Sequence, residues 1–184
     1  MKEIIPNLID RPNCRYVSID YGTQNATAML LWNRGRDNVW YCIREYYYSG
    51  RDNLKQKTDA EYADDLRKWL EGTDINCIIV DPSAASFITE LRGRGYRVIK
   101  ANNDVMDGIR MVGTLLNRKK IVICDTCTNL IAEMESYVWD KKAAERGEDA
   151  PVKKFDHGVD SMRYMISTFG KTAKVKDKIQ TGLR

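Results

Sequence analysis

The chain has 184 residues, of which 43% are hydrophobic and 30% charged, which suits one compact domain and excludes a disordered or fibrous protein. Lysine and arginine number 30 against 26 aspartate and glutamate residues, but five of those bases and one acid fall within 171–184, so the first 170 residues are neutral. A uniformly basic nucleic-acid-binding coat is therefore excluded, and any contact with a polyanion must depend on local patches or bound cations.

The first predicted elements are strands. Residues 1–15 contain two prolines and no periodicity, and we interpret them as a lead-in or linker remnant. The ordered domain is predicted over 16–170 and begins with strands at 16–21, 26–32 and 39–48. These runs are rich in β-branched and aromatic residues and are separated by turn residues, which indicates an antiparallel meander.

Helices then alternate with short strands. Thr58 and Glu61 form a capping box, and the helix that they open ends near Gly72. Residues 76–80 are apolar on both faces, as expected of a central strand, and Asp81-Pro82 opens a second helix. The remaining predicted elements are a strand at 96–100, a helix over 105–116, a strand at 121–124, a helix over 130–138 and a final helix that includes 159–169.

Two segments lack periodicity. The charged stretch 140–154 is predicted to be a surface excursion, and 171–184 a basic flexible tail. The order of the elements predicts an α/β fold, with a mixed β-sheet of an antiparallel meander plus parallel strands, flanked by helices on both faces. The odd number of cysteines, five, indicates reduced thiols, and no apolar run approaches the roughly 20 residues of a membrane span. No membrane contact is expected.

Three aspartates occupy positions that suggest chemistry. Asp20 lies in the first strand on the opposite face from Ile19, where a covered sheet offers little water and an unpartnered carboxylate is costly. Asp81 ends a buried strand, at the edge where ligands of α/β sheets commonly bind. Asp160 follows His157 by three positions at the start of the last helix, so the two side chains can share one face.

Each of these residues also has a structural explanation. Asp20 could hydrogen-bond the turn at Gly22. Asp81, followed by proline, could cap the helix after it. Asp156 could cap the last helix and Asp160 could offset its dipole, with His157 as a hydrogen-bonded surface residue.

Carboxylates gathered from separate elements suit a hard divalent cation. Mg²⁺ and Mn²⁺ prefer oxygen ligands and leave positions open for a phosphate. Two such ions about 3.5 to 4 Å apart can activate a water and stabilise the leaving oxygen in an in-line phosphodiester cleavage. Bound ions would also supply positive charge that the composition lacks.

A series of motifs runs in order through most of the chain, from about residue 16 to residue 169. They are Ser18-Ile-Asp-Tyr-Gly-Thr-Gln-Asn-Ala-Thr27, Arg44-Glu-Tyr-Tyr-Tyr48, Gln56-Lys-Thr58, Val80-Asp-Pro-Ser-Ala-Ala-Ser-Phe87, Tyr137-Val-Trp-Asp-Lys141 and Asp156-His-Gly-Val-Asp-Ser-Met-Arg-Tyr164. In these motifs the chain resembles the nuclease domain of the large terminase subunit of tailed bacteriophages.

The resemblance implies an RNase H-like fold and a metal-dependent endonuclease that cuts double-stranded viral DNA during genome packaging. The metal ligands of the family correspond to Asp20, Asp81 and Asp160, and His157 matches a histidine beside the last acid. These four residues are therefore the expected catalytic set, with two Mg²⁺ or Mn²⁺ ions as cofactors. The expected partners are double-stranded DNA, a packaging ATPase, the small terminase subunit and the capsid portal, in the cytoplasm of an infected bacterium.

One departure from the family concerns the motor. The full-length subunit of the family begins with a packaging ATPase, whereas this chain has no G-x-x-x-x-G-K-[ST] loop, so the motor is expected in another domain or chain. In related proteins the 140–154 segment forms a hairpin near the active-site groove. The lysines that could contact phosphate there are Lys141, Lys142, Lys153 and Lys154, although solvation alone explains a lysine-rich loop equally well.

Two other functions stay open at this stage. One is a non-catalytic adaptor that docks DNA or the portal through its basic tail. The other is a phosphotransferase of the actin and sugar-kinase type, because Asp20-Tyr-Gly-Thr23 resembles its first phosphate loop. That fold needs a second phosphate loop and an adenosine-binding Gly-Gly, which are missing, and two lobes for which the chain is too short.

Overall fold

The computed structural model describes residues 14–23, 25–140, 145–147, 150–152 and 154–170. These residues form six strands and five helices. In chain order they are β1 (Arg15–Asp20), β2 (Ala26–Arg34), β3 (Trp40–Ser49), α1 (Asp59–Trp69), β4 (Cys77–Val80), α2 (Ala85–Gly93), β5 (Val98–Lys100), α3 (Val105–Asn117), β6 (Ile121–Ile123), α4 (Thr128–Ser136) and α5 (His157–Phe169).

The strands form one mixed sheet in the order β5-β4-β1-β2-β3-β6. β1, β2 and β3 are antiparallel neighbours, which is the predicted meander. β4 pairs in parallel with β1, β5 with β4, and β6 with β3. The predicted mixed α/β sheet is confirmed, and the predicted strand bounds lie within two residues of the observed ones.

Helices cover both faces of the sheet, because successive residues of a strand point to opposite sides. Val17 and Ile19 of β1 are buried in the cluster that includes α1 and α2. Trp32 lies in the cluster on the other face, with α3, α4 and α5. The hydroxyl of Ser18 points to this second face, where its oxygen lies 2.9 Å from Ser161 Oγ of α5. The residues of β1 that alternate with its apolar core therefore face α5.

The start of α1 and the start of α2 differ in how well the sequence predicts them. The capping box of α1 is confirmed, since Thr58 Oγ1 accepts a hydrogen bond from the amide of Glu61 at 3.2 Å and the Glu61 carboxylate accepts one from the amide of Thr58 at 2.8 Å. The prediction that Asp81 opens α2 is wrong. The Asp81 carboxylate accepts instead from the amide of Ser83 at 2.7 Å, and the helix begins at Ala85.

The predicted extension of α4 to Val138 is also wrong. The helix ends at Ser136, Tyr137 adopts an extended backbone conformation, and the Val138 side chain is exposed. The chain then continues to Trp139, which forms an antiparallel bridge with Pro151. Among the described helices, none combines the length and the apolar character needed to cross a membrane.

Candidate active site

Two strand ends and one helix start meet at a single edge of the sheet. β1 and β4 are parallel neighbours with Ile19 opposite Val80, so Asp20 and Asp81, which follow these residues, reach the same edge. The first turn of α5 lies at this edge as well, because His157 Nδ1 is 2.9 Å from Asp20 Oδ2. All four residues expected from the sequence, including Asp160 on that first turn, are therefore gathered in one region.

The Asp20 carboxylate contacts the imidazole of His157. The turn at Gly22 is held by Thr27, whose hydroxyl donates to the Gly22 carbonyl at 2.9 Å and accepts from its amide at 3.1 Å. Burial raises the pKa of Asp20, and the negative charges of Asp160 and Asp81 raise it further, whereas the hydrogen bond with His157 opposes this effect. Among the described residues of this turn, which do not include residue 24, none donates a hydrogen bond to the Asp20 side chain.

Asp81 has a donor on each carboxylate oxygen. Oδ1 accepts from the Ser83 amide, and Oδ2 accepts from the Tyr164 hydroxyl at 2.5 Å. Burial alone would raise the pKa of Asp81, but these hydrogen bonds and the positive charge of Arg163 outweigh burial and lower it. The surroundings of Asp81 therefore favour its ionised form. The surroundings of Asp20, which lies beside it, disfavour ionisation.

Asp160 is held by an arginine that the sequence analysis did not single out. Asp160 Oδ1 lies 3.1 Å from Nε and 3.0 Å from Nη2 of Arg163. Arg163 is buried, and its Nη1 also donates to the carbonyl of Asn103 at 3.1 Å. The spacing of three residues on one helix was the signal that could have identified this pair.

The donors suit a hard cation chemically, but they are not assembled around one point. Three carboxylates from separate elements supply oxygen ligands, and the pKa of Asp20 is raised first by burial and then by the negative charges of Asp160 and Asp81. Within the part of the chain that the structure describes, no three His, Cys, Asp or Glu side chains form a complete metal-binding group. A bound ion would have to compete with the present contacts of these carboxylates, which are made by His157, Tyr164 and Arg163.

A fifth residue, Glu133 of α4, positions the helix that carries His157. Its buried carboxylate accepts hydrogen bonds from the amides of Gly158 at 2.6 Å and Val159 at 3.0 Å, and from the hydroxyl of Tyr47 at 2.8 Å. Burial raises the pKa of Glu133, while these hydrogen bonds lower it. The sequence analysis missed this residue, although an acid on the apolar face of a predicted helix is the signal that could have found it.

Helix α4 is itself held by a glutamate of the Arg44–Tyr48 motif. Glu45 accepts from the amide of Asn129 at 2.8 Å and from the amide of Leu130 at 3.0 Å. These are amides of the first turn of α4, which lack partners within the helix. The motif thus supplies Glu45 to α4 and Tyr47 to Glu133, so β3 positions both helices at the site.

The lysines predicted to contact phosphate are mostly outside the described residues, as are 1–13 and 171–184. Lys154 is described, and its Nζ lies 5.1 Å from the ring centroid of Phe155. Trp139, just before the 140–154 segment, and Pro151, near its end, form an isolated antiparallel bridge. The lysines on which the structure gives no information are Lys141, Lys142 and Lys153.

Comparison with known proteins identifies the family. The profile of the family described as "Terminase RNaseH-like domain" matches residues 17–169. This chain belongs to that family. The RNase H-like fold expected for this terminase domain is confirmed, and the mixed sheet with helices on both faces is the form that the fold takes here.

Three relatives show how the domain compares with longer and with similar chains. The large terminase subunit of Escherichia phage T5 is 27% identical over 154 residues, which are 82% of this chain and 34% of the T5 protein. The large terminase of a thermophilic bacteriophage, solved in complex with ADP, is 54% identical and superposes with a TM-score of 0.83 over 87% of this chain and 40% of that chain. The domain therefore spans between a third and a half of the length of these relatives.

The third relative is the large terminase nuclease of another thermophilic phage, G20c, solved with bound cobalt. It is 14% identical, with a TM-score of 0.63 over 84% of this chain and 81% of that chain. At this level of identity the likeness shows the fold alone. Because the match covers most of both chains, the G20c structure and the domain described here are of similar size.

Proposed function

We propose that this chain is the nuclease domain of a phage large terminase subunit and acts as a metal-dependent endonuclease on double-stranded DNA during genome packaging. The observation that carries the proposal is the gathering of Asp20, Asp81 and Asp160, with His157, at one edge of the sheet. Family membership supports it, as does the cobalt ion in the G20c nuclease.

The residues have distinct parts in this proposal. Two Mg²⁺ or Mn²⁺ ions held by Asp20, Asp81 and Asp160 would supply an activated water and stabilise the leaving oxygen of the phosphodiester. Asp81, whose pKa is lowered by its hydrogen bonds against the effect of burial, would present an ionised carboxylate to a cation. His157, whose pKa is raised by its hydrogen bond with Asp20, would assist these carboxylates as an outer ligand or a proton shuttle.

Arg163 supports a second candidate function, a non-catalytic DNA- or portal-docking module. Its buried ion pair with Asp160 is the kind of contact that a purely structural acid would make. Against this candidate stand the raised pKa of Asp20 and the position of Asp81 beside it, which a structural role does not require. The actin-like phosphotransferase has no support, since the matching family profile covers residues 17–169.

The partners follow from the lengths of the relatives. Because the 54% identical relative was solved with ADP and extends well beyond the matched region, we infer that the packaging ATPase is a separate part of the complete terminase. The small terminase subunit, the capsid portal and double-stranded DNA complete the proposed set of partners. The proposed location is the cytoplasm of the infected bacterial host.

Cleavage of supercoiled plasmid in Mn²⁺ tests the proposed function. We expect Asp20→Asn and Asp81→Asn to lower the rate of nicking and linearisation more than about 100-fold, because each removes an anionic ligand. Asp160→Asn should do the same. Chelation of the metal with EDTA should abolish cleavage by the unmodified chain.

A matched control separates the site from general loss of a carboxylate. Asp64 lies on α1, and its Oδ1 is 2.6 Å from Nη1 of Arg94, the residue that follows α2. Asp64→Asn therefore also breaks an aspartate–arginine contact. This variant should cleave at the rate of the unmodified chain. Retained cleavage by folded Asp20→Asn or Asp81→Asn protein would contradict the nuclease proposal and favour the docking module.

A further inference from the structure

The edge of the sheet opposite the carboxylates carries a dense group of basic residues. The β2–β3 hairpin and the turn between α3 and β6 meet there, and we call their five bases the basic edge patch. The patch consists of Arg34, Arg36, Arg118, Lys119 and Lys120. The loop that joins β2 to β3 and the turn between α3 and β6 hold one acid, Asp37, so these two connections carry a net positive charge in a domain whose first 170 residues are neutral.

Backbone and side-chain contacts join the two turns into one surface. The amide of Trp40 donates to the carbonyl of Lys120 at 2.9 Å, and Lys120 Nζ donates to the carbonyl of Asp37 at 3.4 Å. The guanidinium of Arg34 lies 5.0 Å from the ring centroid of Trp40. The two turns are therefore connected, and the five bases lie on one continuous surface.

The charges of the patch are not neutralised by its acid. The Asp37 carboxylate accepts hydrogen bonds from the amide of Val39 at 3.0 Å and from the hydroxyl of Tyr41 at 2.7 Å. Among the described residues, no acidic side chain lies within 4.0 Å of the charged groups of the patch. Several exposed bases elsewhere are instead paired with acids: Arg67 on α1, Arg94 directly after α2 and Arg110 on α3.

The patch is well separated from the candidate active site. Ala28 of β2 lies opposite Asp20, and Arg34 is six residues further along the same strand. At about 3.4 Å per residue, the two ends of this strand are about 20 Å apart. A contact made by the patch is therefore distinct from a contact made by the carboxylates.

From this arrangement we propose that the basic edge patch binds the phosphate backbone of duplex DNA at a second place on the domain, away from the carboxylates. Exposed lysine and arginine side chains without acidic partners gain affinity for DNA by displacing the counterions condensed on its phosphates. Such a contact needs no sequence preference and no divalent ion. It would hold DNA on the domain whether or not the strand is cut.

The surroundings of the patch favour DNA over an acidic protein surface. The buried centre of a protein interface is more apolar than the surrounding protein surface. Of the large apolar side chains that are exposed in the described part of the chain, Val122 lies beside the patch, whereas the others belong to the 49–55 loop or to residues 138–155. A basic surface with little exposed apolar area is suited to binding a polyelectrolyte such as DNA.

Binding of a fluorescein-labelled duplex of about 30 base pairs, measured by fluorescence anisotropy in EDTA over a series of salt concentrations, tests this proposal. The patch variant of the full chain combines Arg36→Gln, Arg118→Gln and Lys119→Gln, all of which are exposed. We expect at least a fivefold loss of affinity at about 100 mM salt, and a slope of log affinity against log salt smaller by about 2 to 3.

The control variant removes the same charge from the other half of the same sheet edge. It combines Arg67→Gln, Lys68→Gln and Arg97→Gln, which are also exposed. Its affinity and slope should stay close to those of the unmodified chain, and both variants should show unchanged circular dichroism and thermal unfolding.

The outcomes separate this proposal from the proposed nuclease function. Equal losses in the two variants would show that net charge alone governs binding and would overturn the proposal, as would an unchanged slope in the patch variant. Binding of fluorescein-labelled polyglutamate is measured in the same way. If the patch variant loses affinity for polyglutamate but keeps its affinity for the duplex, the patch serves an acidic protein segment and the proposal is overturned. Since the assay contains EDTA, its result does not depend on whether Asp20, Asp81 and Asp160 support cleavage.

Discussion

The contact between Asp20 and His157 joins two residues that are 137 positions apart in the sequence. The hydrogen bond with Asp20 and the negative charge of Asp20 raise the pKa of His157 above the usual 6.5, against the opposing effect of burial. Because the pKa is raised in the folded state, the contact adds stability that is fully present below the unfolded-state pKa and is lost as pH rises through the folded-state pKa. The Asp20 carboxylate therefore controls the protonation of the histidine.

Proton NMR can follow this residue directly, because His157 is the single histidine of the chain. In EDTA we expect the imidazole signal to titrate with a midpoint above 6.5, and Asp20→Asn to lower that midpoint because the anionic partner is lost. Asp64→Asn is the matched control and should leave it unchanged. An identical midpoint in Asp20→Asn and in the unmodified chain would show that the two side chains are not in contact.

The sequence reveals the acids of the site but not their partners. Asp20 is recognisable because it alternates with apolar residues in a strand, and Asp81 because it ends a buried strand. The hydroxyl that contacts Asp81 comes from Tyr164, 83 positions away, and no local pattern links the two. Alternation and strand ends are local properties, whereas hydrogen-bond partners depend on the completed fold.

At the scale of elements, one helix positions the next through buried glutamates. Glu45 of β3 binds the first amides of α4, and Glu133 of α4 binds the first amides of α5. The residue that precedes α5, Asp156, makes no side-chain cap of its own helix. The start of α5, and with it His157, is thus held from outside the helix.

Substitutions at Glu133 test this arrangement. Glu133→Ala leaves the amides of Gly158 and Val159 without their acceptor, so we expect a loss of about 2 kcal/mol in the free energy of unfolding. Glu133→Gln keeps an acceptor oxygen for these amides, so we expect a smaller loss in the free energy of unfolding. The loss of charge should cost little, because burial disfavours the ionised form of Glu133. Urea unfolding at neutral pH measures both values.

Tyr47→Phe is the matched control for these variants. It removes one hydrogen bond to Glu133 but leaves both amide contacts in place, so we expect a loss of about 1 kcal/mol. Equal stability of Glu133→Ala and the unmodified chain would show that the helix start does not depend on this carboxylate.

The predicted bounds of α4 and α2 show where element prediction reaches its limit. Tyr137 and Val138 continue the apolar spacing of α4, but the chain leaves the helix at Ser136 so that Trp139 can pair with Pro151. At Asp81, a sequence suited to capping makes a separate turn because Tyr164 and Ser83 take both of its oxygens. At Val138 the departure from the local pattern accompanies a bridge between Trp139 and Pro151, whereas at Asp81 it accompanies both a local contact with Ser83 and a distant contact with Tyr164.

Across the whole molecule, the two ends of the sheet differ in charge. The carboxylates gather where β1 and β4 end, and the basic edge patch lies where β2 ends and β3 begins. The composition predicts that any polyanion contact needs local patches, but not where they lie, because strand order is a property of the completed sheet. The order β5-β4-β1-β2-β3-β6 decides which charges become neighbours.

The central claim is that Asp20, Asp81 and Asp160 together bind divalent ions, and anomalous diffraction from crystals of this chain soaked in Mn²⁺ tests it most directly. We expect one or two manganese peaks between these carboxylates, at metal–oxygen distances of about 2 Å, with Asp20 moved from His157. Crystals that diffract well and show no peak there, with Asp160 still bound to Arg163, would contradict the claim.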